Sequence, residues 1–408
     1  MSHFRWLSVA LLLAFTADTA LADWRWFSPG LDRQARRELR QAGVTQYLGA
    51  FKPSSEEDAG AGWVRHRFAI DADGPRCITG SEYSVFSRIR DPNKLLIFTQ
   101  GGGACWQGQY SCTPIVDVPN NTPPPPPVGL WSDDGLDIGF GAIPNPFADY
   151  SIVFLPYCDG SVFTGDNDVL DPQYPLGPVR FHRGLRNLSA GIDVAKRLVP
   201  RPQRIVVGGS SAGGVGASSF APFLARFRYG NYRDLAVFND AGPNATNLLD
   251  VNGALARAAD WRFGQFYPRS CTDCDELGQG TEIVKWRLSR DRTIREAFYS
   301  TDGDTTNRFF LQVPTQELYR ALILGVHGPI NAAYPGRYKV YIDSGSDTHT
   351  ALQTPLLYLA VVNDIPFNLW VTDFTRPLFE RWIKALWEGR FPVWVNNVDP
   401  FEPVPVAP

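Results

Sequence analysis

The sequence predicts an α/β fold in which a mostly parallel central sheet has helices on both faces. Six short runs of β-branched and aliphatic residues are apolar on both faces, which is typical of strands buried in a parallel sheet. Stretches with helical periodicity lie between them, at 184–199, 215–227 and 315–324. Alternation of strand and helix favours a single α/β unit. The strand candidates are 94–99, 151–156, 204–207, 235–238, 294–299 and 338–342.

Two stretches interrupt this alternation. Residues 106–149 are rich in Pro, Gly and Asn and include five consecutive prolines at 123–127, which cannot join a helix or a central strand. Residues 243–280 mix loop residues with a pair of cysteines. We therefore expect residues 23–408 to form one domain, with lid-like loop insertions near 106–149 and 243–280 over one edge of the sheet.

The first 22 residues have the three parts of a secretory signal peptide. Arg5 supplies the positive charge, residues 7–15 are apolar, and Ala20-Leu21-Ala22 forms a cleavage site before Asp23. The apolar run is shorter than the about 20 residues that cross a bilayer, and no later segment is long and apolar enough. We expect a secreted or periplasmic protein without a membrane span.

Six cysteines in such a compartment predict disulfides. Cys105 and Cys112 are close enough in sequence to form a local bridge, as are Cys271 and Cys274, which leaves Cys77 and Cys158. Spacing alone leaves the connectivity open.

Composition excludes two classes of function. The formal net charge of −3 provides no basic surplus for binding nucleic acid. The five histidines, at positions 3, 66, 182, 327 and 349, form no cluster with metal-ligand spacing. We therefore expect no metal site, and the chemistry described below requires no cofactor.

The clearest motif is Gly209-Ser210-Ser211-Ala212-Gly213, which fits G-x-S-x-G directly after a predicted strand and before a predicted helix. In this context the turn holds its central serine in a strained conformation above the sheet, and its flanking residues must be small. A glycine-rich phosphate turn is the alternative, but the motif lacks both G-x-G-x-x-G and a P-loop lysine. Ser211 is therefore the candidate nucleophile of an α/β-hydrolase-like fold.

Ester hydrolysis also requires backbone N–H groups that stabilise an oxyanion. In this fold, one belongs to the residue after the nucleophile, here Ala212, and one to a glycine-rich loop after an earlier strand. The predicted strand 94–99 runs directly into Gln100-Gly101-Gly102-Gly103. We expect Gly102 or Gly103 to supply the second N–H.

The histidine and the acid of a triad should follow the serine in the order Ser, Asp or Glu, His. His349 follows the last predicted strand and is the preferred base, whereas His327 looks like part of a helix C-terminus. Asp304, after the strand near 294–299, is the first candidate for the acid and Asp302 the alternative. Asp240 is the third candidate, although a hydrogen-bonded wall of the site suits it better.

Five blocks of this sequence resemble the pectin acetylesterase family, which includes the Notum-type carboxylesterases. Thr79 stands where the family has an acidic residue, and Ala104 where tryptophan is usual. The blocks are Cys-Ile-Thr-Gly-Ser at 77–81, Gly-Gly-Gly-Ala-Cys at 101–105, Tyr-Cys-Asp-Gly-Ser at 157–161 with Phe-Thr-Gly at 163–165, Arg-Gly-Leu-Arg-Asn at 183–187, and the elbow at 209–214.

The resemblance implies a serine triad, disulfides and deacylation of O-esters. It points first to an acylated polysaccharide such as pectin as the substrate. Lipid-type or polyester acyl esters are the alternative, given an aromatic content of 13%. A secreted carbohydrate-binding protein without activity is the alternative from another class, and a missing triad member would be its signature.

Overall fold

The computed structural model describes residues 30–116, 136–137, 142–143, 147–231, 234–351, 382, 385–386 and 394–404. The predicted signal peptide at 1–22 and the proline run at 123–127 lie outside these ranges. Among the described residues, no helix combines the length and the apolar character needed to cross a membrane.

Strands are distributed along the whole described chain. In chain order they are β1 (Ser55–Gly60), β2 (Trp63–Phe68), β3 (Tyr83–Arg88), β4 (Asp91–Thr99), β5 (Gly103–Trp106), β6 (Gln109–Cys112), β7 (Leu136–Asp137), β8 (Ala142–Ile143), β9 (Tyr150–Leu155), β10 (Asn167–Leu170), β11 (Val179–His182), β12 (Arg204–Ser210), β13 (Asp234–Asp240), β14 (Arg295–Thr301), β15 (Tyr338–Asp343) and β16 (Asn397–Val398).

Helices alternate with the later strands. They are α1 (Arg33–Gln41), α2 (Gly184–Leu198), α3 (Ala212–Ser218), α4 (Ala221–Tyr229), α5 (Val251–Trp261), α6 (Glu282–Arg290), α7 (Thr305–Leu311) and α8 (Gln316–Ala333), with a 3₁₀ turn at Phe263–Phe266.

Ten of the described strands form one mixed sheet in the order β1-β2-β3-β9-β4-β12-β13-β14-β15-β16. Every neighbouring pair from β9 to β16 is parallel, whereas β1, β2 and β3 pair antiparallel at one edge. The six predicted strands correspond to β4, β9, β12, β13, β14 and β15. The predicted α/β fold class is therefore confirmed.

Successive residues of the central strands face opposite sides of the sheet. Ile97 belongs to a core shared with α2, α3, α4, α6 and α8. Its neighbours Leu96 and Phe98 face the other side, where helical residues Trp382 and Leu386 are buried. Helical residues thus cover both faces of the sheet.

The structure corrects three local predictions. The stretch 215–227 is not one helix but parts of α3 and α4, which are separated at Ser219–Phe220; Pro222 lies in the first turn of α4, where a missing N–H costs nothing. The helix predicted at 315–324 continues to Ala333. The insertion near 243–280 is not loop throughout, because it contains α5.

Three disulfides join the six cysteines, two of them in the local pairs that the spacing indicates. Cys105 bonds Cys112 across the β5–β6 hairpin, and Cys271 bonds Cys274 within the insertion. Cys77 bonds Cys158, which fixes the loop before β3 to the end of β9.

The candidate site residues follow the carboxyl ends of the central strands. Strands β4, β12, β13, β14 and β15 are consecutive and parallel, so their carboxyl ends lie side by side. In order, they lead into the glycines at 101–103, Ser211, Ala241, Asp302 and the loop with His349. Open α/β sheets bind their ligands at the carboxyl ends of the parallel strands.

Candidate active site

Ser211 occupies the sharp turn between β12 and α3. Its backbone has φ 56° and ψ −123°, a conformation that a non-glycine residue adopts at a cost. The Ser211 N–H donates to the Asp240 carbonyl at 2.7 Å, which fixes the turn against the neighbouring strand. The described residues provide no hydrogen-bond partner for its hydroxyl, and this side chain is half-buried beside a cavity.

The small residues of the elbow are required by the close approach of β4. A Cβ atom at Gly209 would lie 2.2 Å from Thr99 Oγ1, and one at Gly213 would lie 2.0 Å from the Thr99 carbonyl oxygen. The Thr99 hydroxyl occupies this space and donates to the Gly213 carbonyl at 2.7 Å. The G-x-S-x-G pattern thus follows from packing on both sides of the serine.

His349 and Asp304 are in direct contact. His349 Nδ1 lies 2.8 Å from Asp304 Oδ2. Asp304 is fully buried and caps α7, and its carboxylate also accepts hydrogen bonds from the backbone and the side chain of Asn307. An ionised carboxylate only accepts, so Nδ1 carries the proton and Nε2 presents a lone pair.

The second ring nitrogen of His349 is the one available for chemistry. Nε2 is buried and has no hydrogen-bond partner within the described ranges, which include Ser211. Asn307 lines the cavity that holds Ser211 and donates to Asp304 at 2.7 Å, so one residue connects the pair to the serine's cavity. Ser211 lines this cavity, His349 is not among its described lining residues, and no hydrogen bond joins the two side chains directly.

Asp240 connects the turn that carries Ser211 with the loop that carries His349. Its fully buried carboxylate accepts from the Ser210 hydroxyl at 2.5 Å and from the Ala351 N–H at 2.8 Å. Ser210 precedes the candidate nucleophile, and Ala351 lies two residues after His349. Asp240 contacts the backbone around His349 rather than its ring, as expected of a hydrogen-bonded wall.

The other candidates have different partners. Asp302 is buried and bonds Gln316, Arg320 and Ser344, so its carboxylate anchors α8 rather than the histidine. His327 was predicted to lie at the end of a helix, but it lies inside α8. It bonds the Tyr338 hydroxyl and the Pro243 carbonyl, and burial lowers its pKa to about 3. Both nitrogens of His327 are occupied.

A cavity of about 120 Å³ opens beside Ser211. Gly103 and Ala212 line it, whereas Gly102 is not among the described lining residues. Ala212 is the first residue of α3, and its N–H therefore has no partner inside the helix. A Cβ at Gly103 would lie 2.0 Å from the Ser111 carbonyl oxygen, so this position excludes other residues. Of the two candidate glycines, Gly103 has the position suited to an oxyanion donor.

Sequence reasoning missed several residues of this cavity. Its walls are largely aromatic and aliphatic, with Trp106 and Trp261 edge to face at 6.1 Å. The Trp261 indole donates to the Cys105 carbonyl at 2.7 Å, which fastens α5 to the β5–β6 hairpin. The remaining side chains in this wall are Val162, Val215, Pro243, Arg257, Phe310 and Leu311. Among these cavity residues, only Asn307 has a local sequence signal. It follows Asp304 by three residues, the spacing of a helix N-cap.

The electrostatics of the buried acid reflect two opposing effects. Burial raises the pKa of the Asp304 carboxyl above its usual range, while the charge and hydrogen bond of His349 and the hydrogen bonds of Asn307 favour its ionised form. An imidazolium at His349 would add to the second effect. The pair is arranged to stabilise a positive charge on the ring.

No protein-family model and no curated protein matches this chain. Among solved structures, the Wnt deacylase Notum from Drosophila is similar, with a TM-score of 0.55 and 15% sequence identity over 82% of this chain and 95% of that chain. The similarity shows that the two chains share an α/β-hydrolase-like fold.

Proposed function

We propose that this protein hydrolyses carboxylic esters through an acyl-enzyme on Ser211. The observation that carries the proposal is the hydrogen bond between His349 Nδ1 and the buried Asp304. That bond leaves Nε2 as a lone-pair acceptor, and Asn307 links the pair to the cavity lined by a serine in an elbow conformation. An inactive binding protein would have no use for this arrangement.

The first half of the reaction acylates the serine. Ser211 and His349 share no hydrogen bond in this structure, and catalytic hydrogen bonds often form only with substrate bound. Oγ attacks the ester carbonyl as Nε2 takes its proton, and the N–H groups of Gly103 and Ala212 stabilise the oxyanion. The imidazolium then protonates the departing alcohol, while Asp304 remains ionised.

The second half releases the acyl group. Water enters in place of the alcohol and loses a proton to Nε2 as it attacks the acyl carbonyl. A second oxyanion collapses, Ser211 leaves with the proton from His349, and a carboxylic acid is released. Three disulfides support a location outside the cytoplasm.

Two substrate classes remain as candidates. The motif resemblance favours an O-acetylated polysaccharide such as pectin. The aromatic and aliphatic cavity walls favour an ester with an apolar acyl chain as the second class. Release of acetate from acetylated pectin, compared with hydrolysis of 4-nitrophenyl esters from acetate to palmitate, distinguishes these two classes.

The nucleophile can be tested directly. The wild-type chain should hydrolyse 4-nitrophenyl acetate, and Ser211→Ala should lower kcat by at least about 10³-fold because no acyl-enzyme can form. Ser54→Ala, at an exposed serine in the bend directly before β1, is the matched control and should retain activity.

A covalent readout completes the test. Diisopropyl fluorophosphate should modify one residue, and peptide mapping by mass spectrometry should place the adduct on Ser211. An adduct elsewhere, or a Ser211→Ala variant as active as the wild type, would exclude this serine as the nucleophile.

A further inference from the structure

Arg257 lies between two cavities at the site. It lines the cavity that holds Ser211 and also a second one of about 80 Å³, which shares Val162, Val215 and Trp261 with the first. Its guanidinium stacks on Trp106 at 5.0 Å from the ring centroid. A permanent positive charge is therefore built into an otherwise apolar wall of the nucleophile's cavity.

This charge has little compensation from the protein. The side chain of Arg257 is 13% exposed, and its nearest described carboxylate, on Asp250, lies 3.7 Å away. That carboxylate already caps α5 through the Gly253 N–H. Burial lowers the pKa of Arg257, and the charge and the contact of Asp250 oppose this effect.

Two more deeply buried arginines in the fold have closer carboxylate partners. Arg287 donates to both oxygens of Glu296 at 2.7 and 2.6 Å. Arg226 donates to both oxygens of Asp291, at 2.6 and 3.3 Å. Because a buried cation is costly without close hydrogen bonds, the longer contact of Arg257 with Asp250 favours a second carboxylate partner that is not part of the described protein.

We propose that Arg257 forms a carboxylate-binding subsite of the Ser211 cavity, so that the preferred ester carries a carboxylate near its ester bond. The planar fork of a guanidinium matches a carboxylate with two parallel hydrogen bonds. The carboxylate belongs either to the acyl group, as in a half ester of a dicarboxylic acid, or to the alcohol, as in an esterified hydroxy acid or uronic acid. The inference rests on the proposed function, since it assigns Ser211 the ester.

Two substrate pairs distinguish the two sources. For the acyl side, mono-4-nitrophenyl succinate is compared with 4-nitrophenyl butyrate, which has the same chain length and no charge. For the alcohol side, release of acetate from 3-acetoxybutanoate is compared with release from 2-pentyl acetate. The readout is the ratio of kcat/KM for the charged ester to kcat/KM for the neutral one.

Arg257→Met should lower this ratio by about 10- to 100-fold for one pair, because a charge-assisted hydrogen bond is lost. Arg257→Lys, which keeps the charge without the fork, should give an intermediate ratio. Arg262→Met is the matched control: Arg262 is exposed at the end of the same helix and should leave the ratio unchanged. Since a ratio compares two substrates on one protein, a partly unfolded variant does not mimic the effect.

Binding without turnover separates the carboxylate subsite from the proposed esterase function. Monomethyl succinate and 3-acetoxybutanoate are titrated into the Ser211→Ala variant, with and without Arg257→Met. The readout is the change in tryptophan fluorescence, to which Trp106 and Trp261 in the cavity wall contribute. Binding that requires Arg257 supports the subsite even if the wild-type chain hydrolyses no ester, in which case only the proposed function fails. Ratios and binding that are insensitive to Arg257→Met for both pairs overturn the subsite.

Discussion

The carboxylate of Asp304 accepts hydrogen bonds from the Asn307 backbone at 2.8 Å, from the Asn307 side chain at 2.7 Å and from His349 at 2.8 Å. The backbone contact is that of an ordinary N-cap, and the Asn307 side chain adds a second contact within the same turn. The third joins the cap to a loop that follows a different strand. One residue therefore sets both the start of α7 and the orientation of the imidazole.

Asp304→Asn tests this orienting role. An amide at this position can donate to Nδ1, which would move the ring proton to Nε2 and remove the base. We expect kcat for 4-nitrophenyl acetate to fall by about 10³- to 10⁴-fold, with little change in KM.

Asp302→Asn is the matched comparison, because both aspartates are buried and two residues apart. It breaks the ion pair with Arg320 (2.6 Å) and should lower the melting temperature while kcat stays within a few-fold of the wild type. The reverse pattern, with Asp302→Asn inactive and Asp304→Asn active, would assign the acid to Asp302.

At the scale of elements, β13 connects the strands on either side. Its last residue, Asp240, bonds Ser210 at the end of β12 and Ala351 in the loop after β15. Thr301, at the end of β14, adds a hydrogen bond to the Thr348 carbonyl at 2.6 Å. The histidine loop is thus held by contacts from two neighbouring strand ends as well as by Asp304.

Asp240→Ala removes both side-chain contacts and should lower kcat by about 10²-fold, since small displacements of catalytic groups have effects of this size. Asp240→Asn keeps the shape and an acceptor for the Ala351 N–H and should retain most activity. Comparing the rate of modification of Ser211 by diisopropyl fluorophosphate in both variants checks whether the loss arises at the nucleophile. Equal activity in Asp240→Ala and the wild type would limit Asp240 to a structural role.

Strands, helices and the serine turn could be predicted from the sequence where the pattern that indicates them spans only a few neighbouring residues. The runs that became β4 and β12, and the elbow between β12 and α3, are visible because periodicity and small residues act over a few positions. The length of α8 was not, since Gly325, Gly328 and Pro329 indicate a helix end. The helix continues because Tyr319, Ile323, His327 and Ile330 form one buried face.

The site itself was only partly predictable. Sequence order narrowed the acid to three aspartates with Asp304 as the first candidate, but the contact itself depends on how the loops after β14 and β15 meet. Arg257 gave no signal, since its place beside Ser211 depends on packing of α5 against the β5–β6 hairpin through Trp261. These contacts join residues far apart in the chain.

At the scale of the whole molecule, the dependence of stability on pH reflects groups whose pKa is shifted by burial. Burial lowers the pKa of His327 and of His182 to about 3 from an ordinary 6.5. Below pH 6.5 the unfolded chain binds protons at both positions while the folded chain does not, so stability falls as the pH falls. Asp159 acts in the opposite direction, because burial raises its pKa to about 6 from 3.8.

Two variants with opposite effects test this balance. Each histidine contributes a loss of about 2 kcal/mol in the free energy of unfolding between pH 7 and pH 5. His327→Gln should therefore show a smaller loss over this range than the wild type, by about that amount. Asp159→Asn should show a larger loss, because it removes a group that takes up a proton on folding in this range. Urea unfolding at both pH values, with the disulfides intact, gives the loss for the wild type and for each of the two variants. A loss in His327→Gln equal to that of the wild type would mean that this ring is already charged, or accessible to protons, in the folded chain.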